Sequence, residues 1–208
     1  MNNKKSNEKP FWMITKNGYN LDEVVSALQK SIRRGMEEES LYWAIELAKS
    51  GYGQYLWRRL GVIVSEDIGL AEPIAPVIIN SLAENCKRCT KSWKDPEVLP
   101  IAHAVLYLCR CHKNREVDDY IEYVMLKIKE GYKVKIPKWA LDVHTDEGKK
   151  LIKRSGIDPI KKFYFEGCIL DKEKKLKKGN IYKKKLYKKL KLNNCKKPEN
   201  KSQGTKNG

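Results

Sequence analysis

Apolar residues recur at three- and four-residue spacing along most of this chain, and this period constrains its fold more than any other feature. Such spacing places side chains on one face of an α-helix, whereas a half-buried strand needs alternation at every second residue. The pattern is clear from Leu21 to Ile32, and Gly35 follows where a glycine commonly ends a helix. No segment alternates convincingly, although residues 132–136 are long enough to pair briefly. We therefore predict an all-α fold.

The same period predicts the helices that follow. The second begins with the acidic residues 37–39, which suit the positive end of a helix dipole, and closes at Gly51. A third ends near Gly69, and Pro73 lies where a fourth can start, since a proline costs no hydrogen bond in the first turn. The later predicted starts are Asp95 and Pro96 for the fifth helix, Arg115 for a sixth that runs to about Glu130, and Asp158 with Pro159 for a short last one.

Each helix is predicted to turn its apolar stripe toward a common core. Short loops should make successive helices antiparallel neighbours, giving a compact bundle of about six or seven helices in residues 21–170. The stripes predicted to be buried after the first helix are Leu41, Ala44, Ile45 and Ala48; Tyr55, Leu56, Leu60, Ile63 and Val64; Leu99, Ala102, Leu106 and Cys109; and Val117, Ile121, Val124, Met125 and Ile128.

The net charge of +17 is concentrated at the two ends of the chain. Residues 171–208 carry 15 lysines against three acids, and residues 1–20 carry four against one, so residues 21–170 are nearly neutral. A segment so charged and so poor in branched apolar residues cannot offset its own ordering entropy. Residues 171–208 are therefore predicted to be a disordered tail when alone and residues 1–20 a flexible segment. Leu186, Tyr187 and Leu190 share one helical face, so the alternative is a helix that forms against an acidic partner.

The sequence also restricts where such a protein works. No apolar run approaches the roughly 18 residues of a membrane span, and the N-terminus lacks the apolar core of a signal peptide. A cytoplasmic protein without membrane contacts is expected. The six cysteines are then predicted to be reduced thiols without disulfides.

Several segments together resemble the C-terminal region of the RarA/MgsA replication-associated recombination ATPases. The match extends over roughly residues 22–140, and the order and spacing of the segments agree as well as the residues. The segments are Ser26 to Arg33 (SALQKSIR), Leu41 to Ala44 (LYWA), Arg58 to Leu60 (RRL), Ser65 to Pro73 (SEDIGLAEP), and Ala104 to Leu108 with Lys113 and Asn114. Asn114 departs from the serine of the family's Lys-Ser-Asn turn.

The resemblance implies a clamp-loader collar-like domain, which in that family follows an AAA+ ATPase core and helps to assemble a tetramer. A phosphate-binding loop needs the pattern G-x-x-x-x-G-K-[ST]. The nearest candidate, Gly148-Lys149-Lys150, lacks both the hydroxyl residue and the earlier glycine. We therefore expect no ATPase activity, no cofactor and a detached collar module, of a kind that a phage or mobile element can encode.

Within the resemblance, the signature residues Arg58, Arg59, Ser65, Glu66, Asp67, Gly69 and Pro73 are interpreted as structural. The carboxylates are predicted to end the third helix, to accept hydrogen bonds from local amides and to pair with Arg58 and Arg59. The alternative is that Glu66 and Asp67 hold a partner's arginine or a metal ion. The absence of a nearby histidine favours the structural interpretation.

Two further clusters carry a possible chemistry. Cys86 and Cys89, with Cys109, Cys111 and His112, are potential zinc ligands, but Cys109 and Cys111 stand two apart on one predicted helix and so point to different sides. The segment Asp142-Val143-His144-Thr145 offers a carboxylate and an imidazole that can act as general base or metal ligands. A single histidine without a partner nucleophile is more often structural, and His103 is most simply a residue at the core edge.

The C-terminal tail carries the clearest electrostatic prediction. Lysines can neutralise phosphates while interleaved tyrosines stack on exposed bases, which gives sequence-tolerant and salt-dependent binding of DNA. Lysine-rich composition without a function and an anionic membrane surface are the alternatives. The residues predicted to bind nucleic acid are Lys174, Lys175, Lys177, Lys178, Tyr182, Lys183, Lys184, Lys185, Tyr187, Lys188 and Lys189.

Two functions from different classes remain. The preferred one is a non-catalytic accessory of DNA replication or recombination that self-associates or docks on an AAA+ partner. Its tail then binds DNA. The alternative is a small metal-dependent or His/Asp-based enzyme that uses Asp142 with His144, or the cysteine cluster.

Overall fold

The computed structural model describes residues 13–93, 95–172 and 180–192. These residues are helical or irregular, and the regular pairing among them amounts to one isolated antiparallel bridge between Ile14 and Asn20. The predicted all-α class is confirmed. The chain forms two compact units, Met1–Tyr132 and Lys133–Gly208, and the boundary falls inside the range that the sequence assigned to one domain.

The first unit contains six α-helices among its described residues. Their bounds are α1 Leu21–Arg34, α2 Glu37–Leu47, α3 Gly53–Ile63, α4 Ala75–Cys89, α5 Leu99–Arg110 and α6 Glu116–Lys129. Helix α2 continues into the π-helical turn Ala48–Tyr52, and α3 into the π-helical turn Val64–Ile68, which is followed by the 3-10 turn Gly69–Ala71.

Helix α1 shows how local sequence sets an element. Acidic residues occupy its first turn and arginines its last turn, so both ends suit the helix dipole. Gly35 adopts a φ of 71°, and its N–H donates to the carbonyl of Ile32 while Met36 donates to Ser31. This pair of hydrogen bonds closes the helix as a Schellman motif. The predicted end at Gly35 is confirmed.

One hydrophobic core joins the first five helices of this unit, from Val24 to Cys109. Helix α5 packs against α1, α2 and α4, and α3 packs against α1 and α4. Burial of each large aliphatic side chain contributes about 1.5–3 kcal/mol to stability. The large side chains that are fully buried in this core include Leu28, Ile32, Leu47, Leu56, Leu60, Ile63, Ile101 and Leu108.

Two predicted helix starts are wrong. Helix α4 begins at Ala75 with Pro76 in its first turn, whereas Pro73 lies in the preceding turn, where the N–H of Ala75 donates to the carbonyl of Glu72. Helix α5 begins at Leu99 with Pro100 in its first turn, not at Asp95. In both cases a second proline nearby competes for the same position, and the sequence alone does not choose between them.

The predicted buried stripe of α5 is confirmed at Cys109 and wrong at its other three positions. Leu99 is 74% exposed and Ala102 and Leu106 are half-buried, while Ile101 and Leu108 are fully buried. Residues 99–109 are apolar almost throughout, so periodicity cannot select a face. The face is selected by α1, α2 and α4. At the edge of the core, Ile45 and Tyr55 are 36% and 37% exposed.

Helix α6 departs most from prediction. It has the predicted bounds to within one residue, but none of its residues is buried. It packs against the turns Val64–Ile68 and Gly69–Ala71, at the edge of the core. Its apolar residues were predicted to face inward, and Val117, Ile121, Met125 and Ile128 are instead exposed.

Residues 13–20 fold back onto the end of α2, although the sequence predicted a flexible segment over 1–20. Thr15 is buried, and Asn17 donates to the buried carboxylate of Glu46 from its backbone N–H at 3.1 Å and from Nδ2 at 2.6 Å. These hydrogen bonds satisfy the Glu46 carboxylate, which is costly to bury unpaired. Residues 1–12 lie outside the described residues.

The second unit contains α7 Asp146–Ser155, α8 Pro159–Lys162 and α9 Ile181–Lys189, with the 3-10 turn Lys138–Ala140 and the π-helical turn Phe163–Gly167. Asp158 caps α8 as predicted, because its side chain accepts from the N–H of Ile160 and Pro159 occupies the first turn. The buried Lys162 donates to the carbonyl of Lys138 and to Glu166, which ties α8 to the first turn of the unit.

Helix α9 lies in the segment that the sequence predicted to be disordered. Asn180 caps it by accepting from the N–H of Lys183 at 2.9 Å. The ring of Tyr187 packs edge-on against Tyr164 and Phe165, with centroids 5.7 and 5.8 Å away. These contacts supply the stabilisation that composition alone did not indicate. Residues 173–179 and 193–208 of the predicted tail lie outside the described residues.

Candidate functional site

The carboxylate of Asp67 lies at the centre of an ion cluster in the first unit. Its side chain is fully buried, and it accepts hydrogen bonds from Gln29 Nε2 at 3.0 Å, Arg33 Nε at 2.5 Å and Arg115 Nη1 at 3.0 Å. Buried charges are tolerated when they are paired and hydrogen-bonded in this way. The cluster joins α1, the turn after α3 and the start of α6.

Glu66 extends the cluster toward solvent. Its Oε1 accepts from Arg33 at 3.0 Å and from Arg115 at 2.9 Å. Burial works to raise the pKa of Glu66, but the hydrogen bonds, chiefly from Arg115, hold it below its ordinary value. The hydrogen bonds from Glu66 and Asp67 raise the pKa of the Arg115 guanidinium in turn. Arg115 also pairs with Asp118 on α6.

The predicted partners of these carboxylates are wrong. Arg58 is exposed, and Arg59 contacts Gln29 Oε1 at 3.4 Å rather than an acid. The partners come instead from residues 33 and 115, which are distant in sequence. Ser65 donates to the carbonyl of Gly61 at 3.4 Å within its own helix. A signal for the true partners was present, since Arg33 ends one segment of the family resemblance and Arg115 follows another.

The segment Ser65 to Pro73 and the segment that contains Lys113 and Asn114 contact each other in the structure. The N–H of Asn114 donates to the carbonyl of Asp67 at 2.9 Å, and Lys113 Nζ donates to the carbonyls of Leu108, Cys109 and Cys111 at the end of α5. A Cβ on Gly69 would lie 2.6 Å from the carbonyl oxygen of Asn114, and its φ is 51°. Glycine is therefore required at position 69 for this close approach.

The cysteines do not converge on a site within the described residues. Five are free thiols there, and no group of three or more His, Cys, Asp or Glu side chains is arranged to hold a metal. Cys86 is buried and donates to the carbonyl of Glu97, while burial raises the pKa of the Cys109 and Cys111 thiols. Protonated thiols are poor metal ligands and poor nucleophiles.

The segment Asp142 to Gly148 forms the capping loop of α7. Thr145 Oγ1 accepts from the N–H of Gly148 at 3.1 Å, and the Asp142 carboxylate accepts from the N–H of His144 at 2.9 Å and lies 3.2 Å from its Nδ1. These contacts with His144 lower the pKa of Asp142. A Cβ on Gly148 would lie 2.0 Å from the Asp142 carbonyl oxygen. Asp142, His144, Thr145 and Gly148 thus have local structural contacts, and the rings of His144 and Phe163 lie edge to face with centroids 5.6 Å apart.

The lysines of α9 divide between its two faces. Lys184, Lys185, Lys188 and Lys189 are exposed, as is Tyr182 at 82%. Their spacing places all five on one side of the helix. Lys183 lies over the ring of Tyr187 on the other side, 6.0 Å from its centroid.

Tyr187 was predicted to stack on bases, but it is engaged with Tyr164 and Phe165 and is not presented to a ligand. Lys174, Lys175, Lys177 and Lys178 lie outside the described residues.

Comparison with known proteins identifies the domain. The sequence pattern of the family described as MgsA AAA+ ATPase C terminal matches residues 36–194. The chain belongs to this family. The match includes Glu66, Asp67 and Arg115 of the ion cluster but begins after Gln29 and Arg33 on α1. It extends through α9, well past the end of the resemblance noted in the sequence near residue 140.

Curated relatives agree with this assignment. The chain is 33% identical over 138 residues to replication-associated recombination protein A of Bacillus subtilis (strain 168), covering 65% of this chain and 31% of that protein. It is 34% identical over 103 residues to the protein of the same name from Haemophilus influenzae, covering 49% and 22%. An AAA domain-containing protein of Mycobacterium tuberculosis is 30% identical over 124 residues, covering 59% and 26%.

The chain spans less than a third of the length of these relatives, and the family match is to their C-terminal region rather than to an ATPase core. Two of these relatives are named for replication-associated recombination. Among the described residues, no helix is long and apolar enough to cross a membrane.

Proposed function

We propose that this chain is a non-catalytic accessory domain of DNA replication and recombination, which binds DNA without sequence preference through the exposed face of α9. It self-associates or docks on an AAA+ partner, and it acts in the cytoplasm without ATPase activity of its own. Membership of the MgsA C-terminal family supports the proposed role in DNA replication and recombination.

The observation that carries the DNA proposal is the arrangement of Lys184, Lys185, Lys188 and Lys189 on one exposed helix face. Four ammonium groups on one side of a helix can contact consecutive phosphates, and binding then releases condensed counterions. The exposed ring of Tyr182 on the same side is available to stack on an unpaired base. Because Tyr187 packs against Tyr164 and Phe165, the opposite face with the lysines is exposed to solvent.

The ion cluster supports a structural role for the family signature. The carboxylates of Glu66 and Asp67 are engaged by side chains of their own unit, so they are not presented to a partner's arginine. Nothing in the described geometry favours the alternative of a small enzyme, because Asp142, His144 and Thr145 act as a helix cap and the cysteines do not converge.

The test is a salt titration of binding to a single-stranded and a duplex oligonucleotide. Replacing Lys184, Lys185, Lys188 and Lys189 by glutamine is expected to weaken binding and to reduce the slope of log K against log salt by about 0.7–0.9 per lost phosphate contact. The matched control replaces Lys149, Lys150, Lys153 and Lys161, which removes the same charge from α7 and α8 of the same unit. Equal losses in both variants would show that only net charge matters and would refute a binding face on α9.

A further inference from the structure

Helix α6 carries an apolar face that the described residues of the first unit cover only in part. Val117, Ile121, Val124 and Ile128 recur at helical spacing and share one side. Ile121 and Ile128 are 57% and 56% exposed, Val117 is exposed, and Val124 is half-buried. Leu70, in the turn that packs against α6, is exposed as well. A contiguous apolar surface of this kind marks an interaction site.

The N-terminal end of α6 is joined to the turn after α3 by ion pairs and a backbone hydrogen bond. Arg115 pairs with Glu66 and Asp67, and Asn114 is bonded to the carbonyl of Asp67. In its C-terminal half, Lys127 lies over the rings of Tyr123 and Tyr132. The apolar stripe therefore begins beside residues that are paired with the rest of the unit.

The charges on α6 identify the occupant. Its first half carries Glu116, Asp118, Asp119 and Glu122, and its second half carries Lys127 and Lys129. Acidic residues beside the stripe disfavour nucleic acid. A second α6 in the opposite direction places the basic half of each helix beside the acidic half of the other, whereas a parallel second copy places like charges together.

We propose that α6 pairs with α6 of a second copy of this chain, antiparallel and about a two-fold axis that passes between Glu122 and Tyr123. In this register Val117 lies opposite Ile128 of the second copy and Ile121 opposite Val124, so the stripe is self-complementary, as a two-fold interface requires. Lys127 lies near Glu116 of the other helix. This inference rests on the self-association in the proposed function and names the surface through which two copies associate.

Charge exchange tests the antiparallel arrangement. Variant one carries Lys127→Glu and Lys129→Glu, and variant two carries Glu116→Lys and Glu122→Lys. Light scattering and sedimentation of the full chain should show that each variant alone self-associates at least about tenfold more weakly than the wild type, since opposite charges become like charges. An equimolar mixture of the two variants should recover the association. In a parallel pair, variant one would change nothing.

A matched control carries Lys87→Glu and Arg88→Glu, which make the same change in net charge on the exposed side of α4 and should leave association unchanged. An apolar pair of variants adds an independent measurement. Ile121→Ser should weaken association, and Val62→Ser, at an exposed apolar position of α3, should not. All these side chains are at the surface, so circular dichroism is expected to show intact folding.

The outcomes separate this inference from the proposed function. A wild-type chain that stays monomeric up to its solubility limit overturns self-association and the α6 pair together. Association that none of the α6 variants changes overturns the α6 pair and leaves self-association standing. Weak association of each variant without recovery in the mixture shows that α6 contacts a different surface of the second copy, and it also overturns the pair.

Discussion

At the scale of single residues, Asp67 connects the segments by which the family is recognised. It is fully buried, and its hydrogen bonds to Gln29, Arg33 and Arg115 satisfy a carboxylate that would otherwise be costly to desolvate. The carbonyl of the same residue accepts from Asn114. Substitutions around Asp67 should therefore act through stability.

Arg115→Met should reduce the free energy of unfolding by about 2–3 kcal/mol, because it leaves the buried Asp67 carboxylate with one fewer charged partner. Urea unfolding followed by circular dichroism measures the change. The matched control is Arg58→Met, at the arginine that the sequence predicted as partner; it is exposed and should change stability by less than about 0.5 kcal/mol. Equal effects in the two variants would contradict the observed pairing.

The cluster should also make stability depend on pH. The folded-state pKa of Glu66 lies below its ordinary value of 4.5, so the ionised form is favoured by folding. This contribution is fully present above pH 4.5 and is lost as the pH falls through the lower, folded-state pKa. The difference in unfolding free energy between wild type and Glu66→Gln should be constant from pH 7 to pH 5 and shrink below that. A difference that grows on acidification would contradict the stated direction.

Gly69→Ala should destabilise the first unit by about 1–3 kcal/mol, because a Cβ there would overlap the carbonyl oxygen of Asn114 and the φ of 51° is unfavourable for alanine. Gly61→Ala is the contrasting variant. Position 61 lies inside α3, and a Cβ there would meet no neighbouring group within 4 Å, so alanine should stabilise by up to about 1 kcal/mol. Thermal melts of both variants compare them directly, and a neutral Gly69→Ala would mean that the loop of Asn114 can move away.

At the scale of elements, some helix ends were predictable while the buried faces of the helices were less so. Gly35 at the end of α1 and Asp158 at the start of α8 lie where the sequence placed them, because capping depends on residues within one turn. The face of α5 and the exposure of α6 depend on which other helices pack against them. A period of 3.6 residues shows that a helix has an apolar side but not whether that side is covered.

The capping loop of α7 gives a prediction at this scale. Thr145→Ala removes the acceptor for the N–H of Gly148 and should weaken α7 by about 1 kcal/mol. Hydrogen exchange of the amides in residues 146–155 should then be about fivefold faster. His144→Ala keeps the Thr145 cap and should have a smaller effect. If His144→Ala abolished an enzymatic activity of the chain and left the hydrogen-exchange protection of α7 unchanged, the result would favour the enzyme hypothesis.

At the scale of the whole molecule, the division into two units separates the proposed contacts. The main hydrophobic core runs from Val24 to Cys109, and α6 ends at Lys129, so both belong to the first unit. The lysine face of α9 belongs to the second. The family match extends over most of both units.

A fragment of residues 1–132 should therefore fold cooperatively, since it contains this core complete. It should retain self-association, if α6 mediates it, and lose salt-dependent DNA binding, because it lacks α9. Circular dichroism, light scattering and the oligonucleotide titration measure the three properties. DNA binding by this fragment at the affinity of the full chain would show that the tail and α9 are not the binding element.

The sequence by itself determined the all-α class, the family, the bounds of α1 and α6 and the caps at Gly35 and Asp158, because these depend on periods and hydrogen bonds that are local in the chain. Only the tertiary structure decided that Arg33 and Arg115, rather than Arg58 and Arg59, hold the buried carboxylate, that α6 leaves its apolar stripe exposed, and that α9 turns one lysine face outward. The physical reason is common to all three. Burial and pairing depend on groups brought together from distant parts of the chain, and no period along the sequence records which of them will meet.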